Sequence, residues 1–209
     1  MKIPRLLAIS SPGVSPGETW RQWCEDLAAT GVDGLQVRRK SGSDRELLDL
    51  TLAARAAMPH PRVVLVNTRC DVALAGGADG VHLPASGLPP ARLRATCDAT
   101  AGRPFLIGRS AHSVEEVCRA RDDGADFALY GPVFETPSKA GVIPARGLAA
   151  LARAAACGLP VLALGGIDFS NARRALEAGA WGLAAIRWFA DPVACASEYA
   201  ALRLVWQAA

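Results

Sequence analysis

Short apolar runs alternate along the chain with longer stretches in which apolar residues recur every three or four positions. The first pattern belongs to buried strands, the second to helices with one covered face. The runs predict strands at Arg5–Ser10, Gly34–Arg38, Val63–Asn67, Gly80–Leu83, Phe105–Gly108, Phe127–Tyr130, Val161–Leu164 and Gly182–Ile186. Helical spacing predicts Thr19–Ala29, Asp44–Ala57, a brief Asp71–Ala75, Ala91–Cys97, Val114–Asp123, Leu148–Ala156, Ser170–Ala178 and Pro192–Gln207. Ser43 stands three residues before Glu46, and Ser113 three before Glu116, which is the spacing of a capping box at two of these helix starts.

One phrase marks several of the joints. Gly-Val-Asp-Gly (31–34), Gly-Ala-Asp-Gly (77–80), Gly-Ala-Asp-Phe (124–127) and Gly-Ala-Trp-Gly (179–182) each close a helix and open a strand. The first Gly takes the left-handed backbone that ends a helix. Eight strand–helix units of about 25 residues need about 200 residues, and the chain has 209. The whole chain, 1–209, is therefore expected to be one α/β domain, a (β/α)8 TIM barrel. An open doubly wound sheet is the alternative. Eight units and the lack of an early Gly-x-Gly-x-x-Gly disfavour it.

Composition narrows the function. Hydrophobic residues at 51% and charged residues at 21% allow a large core and exclude disorder. Lys and Arg number 23 against 20 Asp and Glu, a net charge of +3, spread along helices with no basic stripe. That distribution argues against a nucleic-acid partner. No apolar run reaches the length of a membrane span, and Leu6–Ser10 is too short for a signal-peptide core. The six cysteines show no Cys-x-x-Cys spacing. Most are expected to be small buried hydrophobes in a reducing cytoplasm, neither disulfides nor zinc ligands.

In such a barrel, chemistry sits where strands end, and there polar residues collect. Leu164-Gly165-Gly166-Ile167 leads from a strand into a helix; it reads as a phosphate turn, with Arg187 closing the next strand, or as a plain tight turn. Arg38 and Lys40 alternate along a strand end and so point to one side, which suggests an anionic substrate. Thr136-Pro137-Ser138-Lys139 lies in the longest irregular stretch, 131–147, and reads either as an anion-binding lid or as a solvated loop. Of the histidines, His60 falls at the opposite end and is expected to be inert. His82 is a core histidine or a site residue. His112, after Arg109-Ser110, is a candidate general base or a helix cap. No carboxylates pair on adjacent strand ends, so no metal site is expected.

Gln36-Val37-Arg38-Arg39-Lys40, Asn67-Thr68-Arg69-Cys70-Asp71-Val72-Ala73, Gly80-Val81-His82-Leu83-Pro84, Ile107-Gly108-Arg109-Ser110-Ala111-His112-Ser113, Tyr130-Gly131-Pro132-Val133-Phe134-Glu135-Thr136 and the Gly165-Gly166-Ile167 turn follow in order. Together they resemble the thiamine phosphate synthase/TenI family over nearly the whole chain. The resemblance implies a (β/α)8 barrel of thiamine biosynthesis. Its synthase branch joins hydroxymethylpyrimidine diphosphate to thiazole phosphate with Mg²⁺ held by two Asp. Its TenI branch includes a metal-free thiazole tautomerase. Thr68 and Pro84-Ala85-Ser86-Gly87 stand where the synthase carries its acids, and Pro132 where the tautomerase carries a catalytic His.

Residues and resemblance together assign catalysis to His112, and substrate binding to Gln36, Arg38, Lys40, Asn67, His82, Arg109, Ser110, Thr136, Ser138 and Lys139. Phosphate is assigned to Gly165, Gly166 and Arg187. The expected function is a TenI-like tautomerase without cofactor, acting on a small phosphorylated thiazole. The alternatives are a synthase, which alone would bring in Mg²⁺, a non-catalytic binder of the same metabolites, and a barrel serving an unrelated phosphorylated substrate. Trp188, Phe189 and Trp206 read as a homo-oligomer interface or as helix packing.

Overall fold

A computed structural model describes residues 2–136 and 144–207. Strands and helices alternate in the order β1 Leu6–Ile9, α1 Glu18–Thr30, β2 Gly34–Val37, α2 Asp44–Ala57, β3 Val63–Asn67, α3 Cys70–Ala75, β4 Gly80–Leu83 and α4 Ala91–Ala101. They continue as β5 Leu106–Ala111, α5 Val114–Asp122, β6 Phe127–Tyr130, α6 Gly147–Ala155, β7 Val161–Leu164, α7 Phe169–Glu177, β8 Gly182–Ala185 and α8 Ala196–Gln207. The strands form a closed barrel in sequence order, each parallel to its neighbours. The expected (β/α)8 architecture is the observed one.

Two boundaries differ from expectation in ways that matter below. β5 runs three residues beyond the predicted Gly108, to Ala111. A 3-10 turn at Arg187–Phe189 follows β8, so the last helix starts at Ala196 and not at Pro192. Both predicted serine caps form, with Ser43 accepting from the Glu46 amide and Ser113 from the Glu116 amide.

Strand pleating divides each strand between two cores. Leu7, Ile9, Val63, Leu65, Leu106, Phe127, Leu129, Leu162 and Ala184 fill the lumen, while the alternate positions, such as Leu35, Val37, Val64, Val66 and Ile107, pack against the helices. The lumen is fitted by size. Gly108 stands where a Cβ would come within 2.2 Å of the Phe127 ring, so the ring needs that glycine.

The repeated Gly-x-Asp phrase has a structural meaning that periodicity did not show. Its first glycines, Gly31, Gly77, Gly124 and Gly179, all hold positive φ, and its acids tie the starts of neighbouring strands. Asp33, before β2, accepts from the Arg5 and Leu6 amides at 3.0 and 2.7 Å. Asp79, before β4, accepts from the Val64 amide at 2.8 Å, and Asp126, before β6, from the Ile107 amide at 2.6 Å. Before β8 the phrase carries Trp181, whose ring lies 3.7 Å beneath the Arg5 guanidinium.

The cysteine expectation fails for one pair. Cys118 on α5 and Cys157 after α6 form a disulfide, with Cα atoms 5.5 Å apart. The two helices are neighbours around the barrel, so residues 39 apart in sequence meet, which spacing along the chain does not reveal. Trp188 and Phe189 are buried inside the chain against Tyr199 of α8, and Trp206 packs on the same core. Helix packing therefore accounts for them. Among the described residues no helix is long and apolar enough to cross a membrane.

Replacing Asp33 with Ala removes the acceptor of two part-buried amides, and each orphaned donor costs about 1–3 kcal/mol. A urea titration should show D33A less stable than wild type by about 2 kcal/mol or more, with D33N intermediate.

Candidate active site

At the C-terminal end of the barrel a cavity of about 460 Å³ opens between the strand-end loops. One wall is polar and comes from consecutive strands: Gln36 on β2, Asn67 on β3, His82 on β4 and Ser110 on β5. The facing wall is apolar, with Ile9, Leu129, Leu164 and Ile186 from β1, β6, β7 and the end of β8. Strand parity places each of these side chains on the lumen side.

The polar wall is a linked row. Gln36 Nε2 donates to Asn67 Oδ1 at 2.9 Å, and Asn67 Nδ2 donates to Thr68 Oγ1 at 2.9 Å. His82 Nε2 shares a hydrogen bond with Ser110 Oγ at 2.8 Å. Three buried polar atoms in this region have no partner among the described residues: Gln36 Oε1, Arg38 Nη1 and His82 Nδ1. Buried polar atoms are normally paired, so an unpaired acceptor and an unpaired guanidinium nitrogen lining one cavity mark a place for a ligand.

Arg38 leaves the barrel just past β2. Its amide donates to Ser10 Oγ at 2.8 Å, and that hydroxyl donates back to the Arg38 carbonyl at 2.9 Å. The β1 end thus holds the residue in place, a role for Ser10 that sequence reasoning missed, although Ser10 closes a predicted strand. Burial lowers the Arg38 pKa somewhat, leaving a guanidinium that is still charged at neutral pH. His82 is fully enclosed. Burial first, and then the Arg38 charge, lowers its pKa from 6.5 to about 3, so the ring is neutral.

Across the mouth, Gly165 and Gly166 turn out of β7 with φ of 94° and 66°, and both line the cavity with Arg187. The turn is pressed against the β6 loop: a Cβ on Gly166 would fall 2.5 Å from the Glu135 carbonyl oxygen. Arg187 stands exposed at the rim. His112 also lines the cavity, its Nδ1 2.6 Å from the Gly131 carbonyl. A carbonyl only accepts, so Nδ1 carries the proton and Nε2 of the neutral ring is an acceptor.

The sequence of residues 6–189 matches the family described as Thiamine monophosphate synthase. The chain belongs to that family. A relative from Methanoculleus marisnigri, named thiamine-phosphate synthase, is 39% identical over 183 residues, covering 87% of this chain and 85% of its own length. One of the same name from Deinococcus radiodurans is 41% identical over 210 residues, covering 95% of this chain and 71% of itself. A solved thiamine phosphate pyrophosphorylase from Pyrococcus furiosus superposes with a TM-score of 0.78 at 30% identity, covering 93% of this chain and 92% of that one.

Family membership brings in Mg²⁺, and the residues present do not fit it. Mg²⁺ is held by carboxylate and other hard oxygens. On the β3 turn stands Thr68, whose hydroxyl already accepts from Asn67, and the β4 loop, Pro84-Ala85-Ser86-Gly87, carries no acid. The nearby Asp71 gives both oxygens to Arg69, at 2.9 and 2.5 Å, and this pairing drops its pKa to about 2. Among the described residues no three His, Cys, Asp or Glu side chains gather as a metal site.

Gln36, Arg38, Asn67, His82, Ser110, His112, Thr136, Gly165, Gly166 and Arg187 meet around the one cavity. Pro137, Ser138 and Lys139 lie outside the described residues.

Two site expectations are corrected. Because β5 continues through Arg109, that side chain takes the helix-facing parity: Nη1 pairs with Asp123 at 3.0 Å and Nη2 donates to the Ala85 carbonyl at 2.9 Å. Arg109 braces the β4 loop and does not line the cavity. Lys40 lies three residues past the end of β2, where strict alternation no longer holds. It is exposed on an adjoining groove beside Arg39 and Arg69.

The start of α7, the helix this turn leads into, is already capped: Asp168 Oδ1 accepts from the Ser170 amide at 2.9 Å. Among the described residues that leaves the glycine turn and Arg187 as the anion groups at this side of the mouth.

Removing Arg109 strands Asp123 and two loop carbonyls. R109A should lose about 3 kcal/mol in chemical denaturation, while phosphate binding, read by calorimetry, stays within twofold. His82 generates a pH dependence. The unfolded ring takes up a proton near pH 6.5 but the folded one only near 3. Stability due to the neutral ring is thus complete above 6.5 and is lost as pH falls through that window, by up to about 1.4 kcal/mol per unit. Denaturation curves at pH 6.5 and 4.5 should show H82N losing less over this interval than wild type.

Proposed function

We propose that the protein joins a pyrimidine diphosphate to a thiazole phosphate in the strand-end cavity, with arginine charge in place of a protein-held divalent ion. The observation that carries this reading is the buried, unpartnered Arg38 Nη1 on one side of the cavity, with the glycine turn and Arg187 on the other. Two cationic positions suit two phosphorylated substrates. Close relatives named as synthases support the same reaction class.

In this reading the thiazole phosphate lies on Gly165, Gly166 and Arg187, the loops after strands seven and eight that commonly take phosphate in this fold. The pyrimidine sits on the polar wall, where Gln36 Oε1 accepts from a ring amino group, and the diphosphate lies on Arg38. The apolar wall excludes water and supports both rings. The thiazole nitrogen lone pair attacks the pyrimidine methylene carbon as its bond to the diphosphate oxygen breaks. The diphosphate leaves with the electron pair, and Arg38 stabilises the growing charge. The attacking nitrogen bears no proton, so no general base is required.

A second reading follows from His112. Its acceptor Nε2 is a base for moving a proton on a thiazole carboxylate phosphate, as a tautomerase does.

Purified protein supplied with both synthase substrates should form thiamine phosphate, detected by mass spectrometry, equally with Mg²⁺ and with a chelator. R38A should lower kcat/KM by about 100-fold or more. No product in either condition overturns the reading. Aromatisation of the carboxylated thiazole, slowed in H112A and without coupling activity, transfers the assignment to the second. Ligand binding with neither turnover leaves the non-catalytic binder.

A further inference from the structure

We infer that Cys70 and Cys97 form a reversible cross-linking site beside the cavity, distinct from the Cys118–Cys157 disulfide. Four of the six cysteines meet in two pairs although no two are close in sequence. Cys70 is the first residue of α3 and Cys97 lies on α4, the next helix around the barrel. Their Sγ atoms are 2.9 Å apart, nearer than resting non-bonded atoms, which sit about 3.5–4.0 Å apart even for the smaller carbon.

The two thiols differ in access. Cys70 is half-buried and Cys97 buried. Cys70 is therefore open to a small oxidant and Cys97 is placed to resolve the product. Burial, and then the adjoining thiol, pushes Cys70 up to about 12, so Cys70 rests as the thiol and reacts slowly, through its small thiolate fraction.

The oxidant class is a low-molecular-weight disulfide. The Cys70 sulfur attacks one sulfur of oxidised glutathione, forms a mixed disulfide and releases one glutathione thiol. The Cys97 sulfur then attacks the Cys70 sulfur; the Sγ–Sγ bond forms and the second glutathione thiol leaves. Two protein thiols are oxidised, one glutathione disulfide is reduced, and the two protons end on the two glutathione thiols.

The position gives the bond its consequence. Cys70 follows Asn67, Thr68 and Arg69, the turn that carries part of the polar wall, and Thr68 holds a left-handed φ of 68° with its amide donating to the His82 carbonyl at 2.8 Å. Residues 70 and 97 are 27 apart, and the segment between them contains β4 and His82. A cross-link there closes a loop around one strand of the site and restricts the unfolded chain, which raises stability.

Full-length wild type and C97S are incubated alike with excess oxidised glutathione for a day. They are then compared by non-reducing peptide mapping, thermal unfolding and amide hydrogen exchange. The expected result is a Cys70–Cys97 peptide in monomeric wild type, a melting temperature about 5 °C or more above that of C97S, and slower exchange across 68–76. If C97S does not fold, C70S replaces it. Free or separately glutathionylated Cys70 and Cys97, or a cross-linked protein melting no higher than the variant, overturns the inference.

Discussion

Strands of a closed parallel barrel have to start in step, and here carboxylates set the step. Asp33, Asp79 and Asp126 each precede an even-numbered strand and take an amide from the preceding odd one. This couples β1 to β2, β3 to β4 and β5 to β6. Asp79 is enclosed and also meets Arg55 and Arg103. With the starts fixed, pleating decides which side chains reach the lumen, and every site residue carried by a strand inherits its direction from that choice.

The cavity is two-faced for the same reason. Strands β2 to β5 end in amide, imidazole and hydroxyl groups, and the remaining strands end in aliphatic ones. A flat heterocycle with a hydrogen-bonding edge satisfies both faces at once. Among the described residues the cavity's cationic groups are Arg38 and Arg187, which hold positions separated by the β1 end.

Much of this was legible in the residues. Alternating apolar runs located all eight strands, the serine caps and Gly-x-Asp joints located several helix boundaries, and alternation past β2 turned Arg38 inward. The misreadings have local causes. Arg109 was placed in the site because β5 was expected to stop at Gly108; three more strand residues reverse the meaning of its parity. Lys40 was aligned with Arg38 by extending a period of two past the strand that enforces it. The Cys118–Cys157 bond depends on which helices are neighbours around a closed ring, and local periodicity holds no record of that. Ser10 escaped notice because its work is to hold the Arg38 backbone, which no motif announces.

The fourth joint is of another kind. Where the chain returns to β1, the phrase carries Trp181, and the Arg5 guanidinium covers the indole while its Nη1 donates to the Trp181 carbonyl at 2.5 Å. An aromatic face has no proton to gain, whereas a carboxylate weakens as an acceptor once protonated. Asp33, raised above the usual carboxylate range chiefly by burial, reaches that state early on acidification. The seam where the first and last strands meet is thus the joint without a titrating acceptor, held by an indole face and a backbone carbonyl whose capacity to take the Arg5 guanidinium does not change as Asp33 gains its proton.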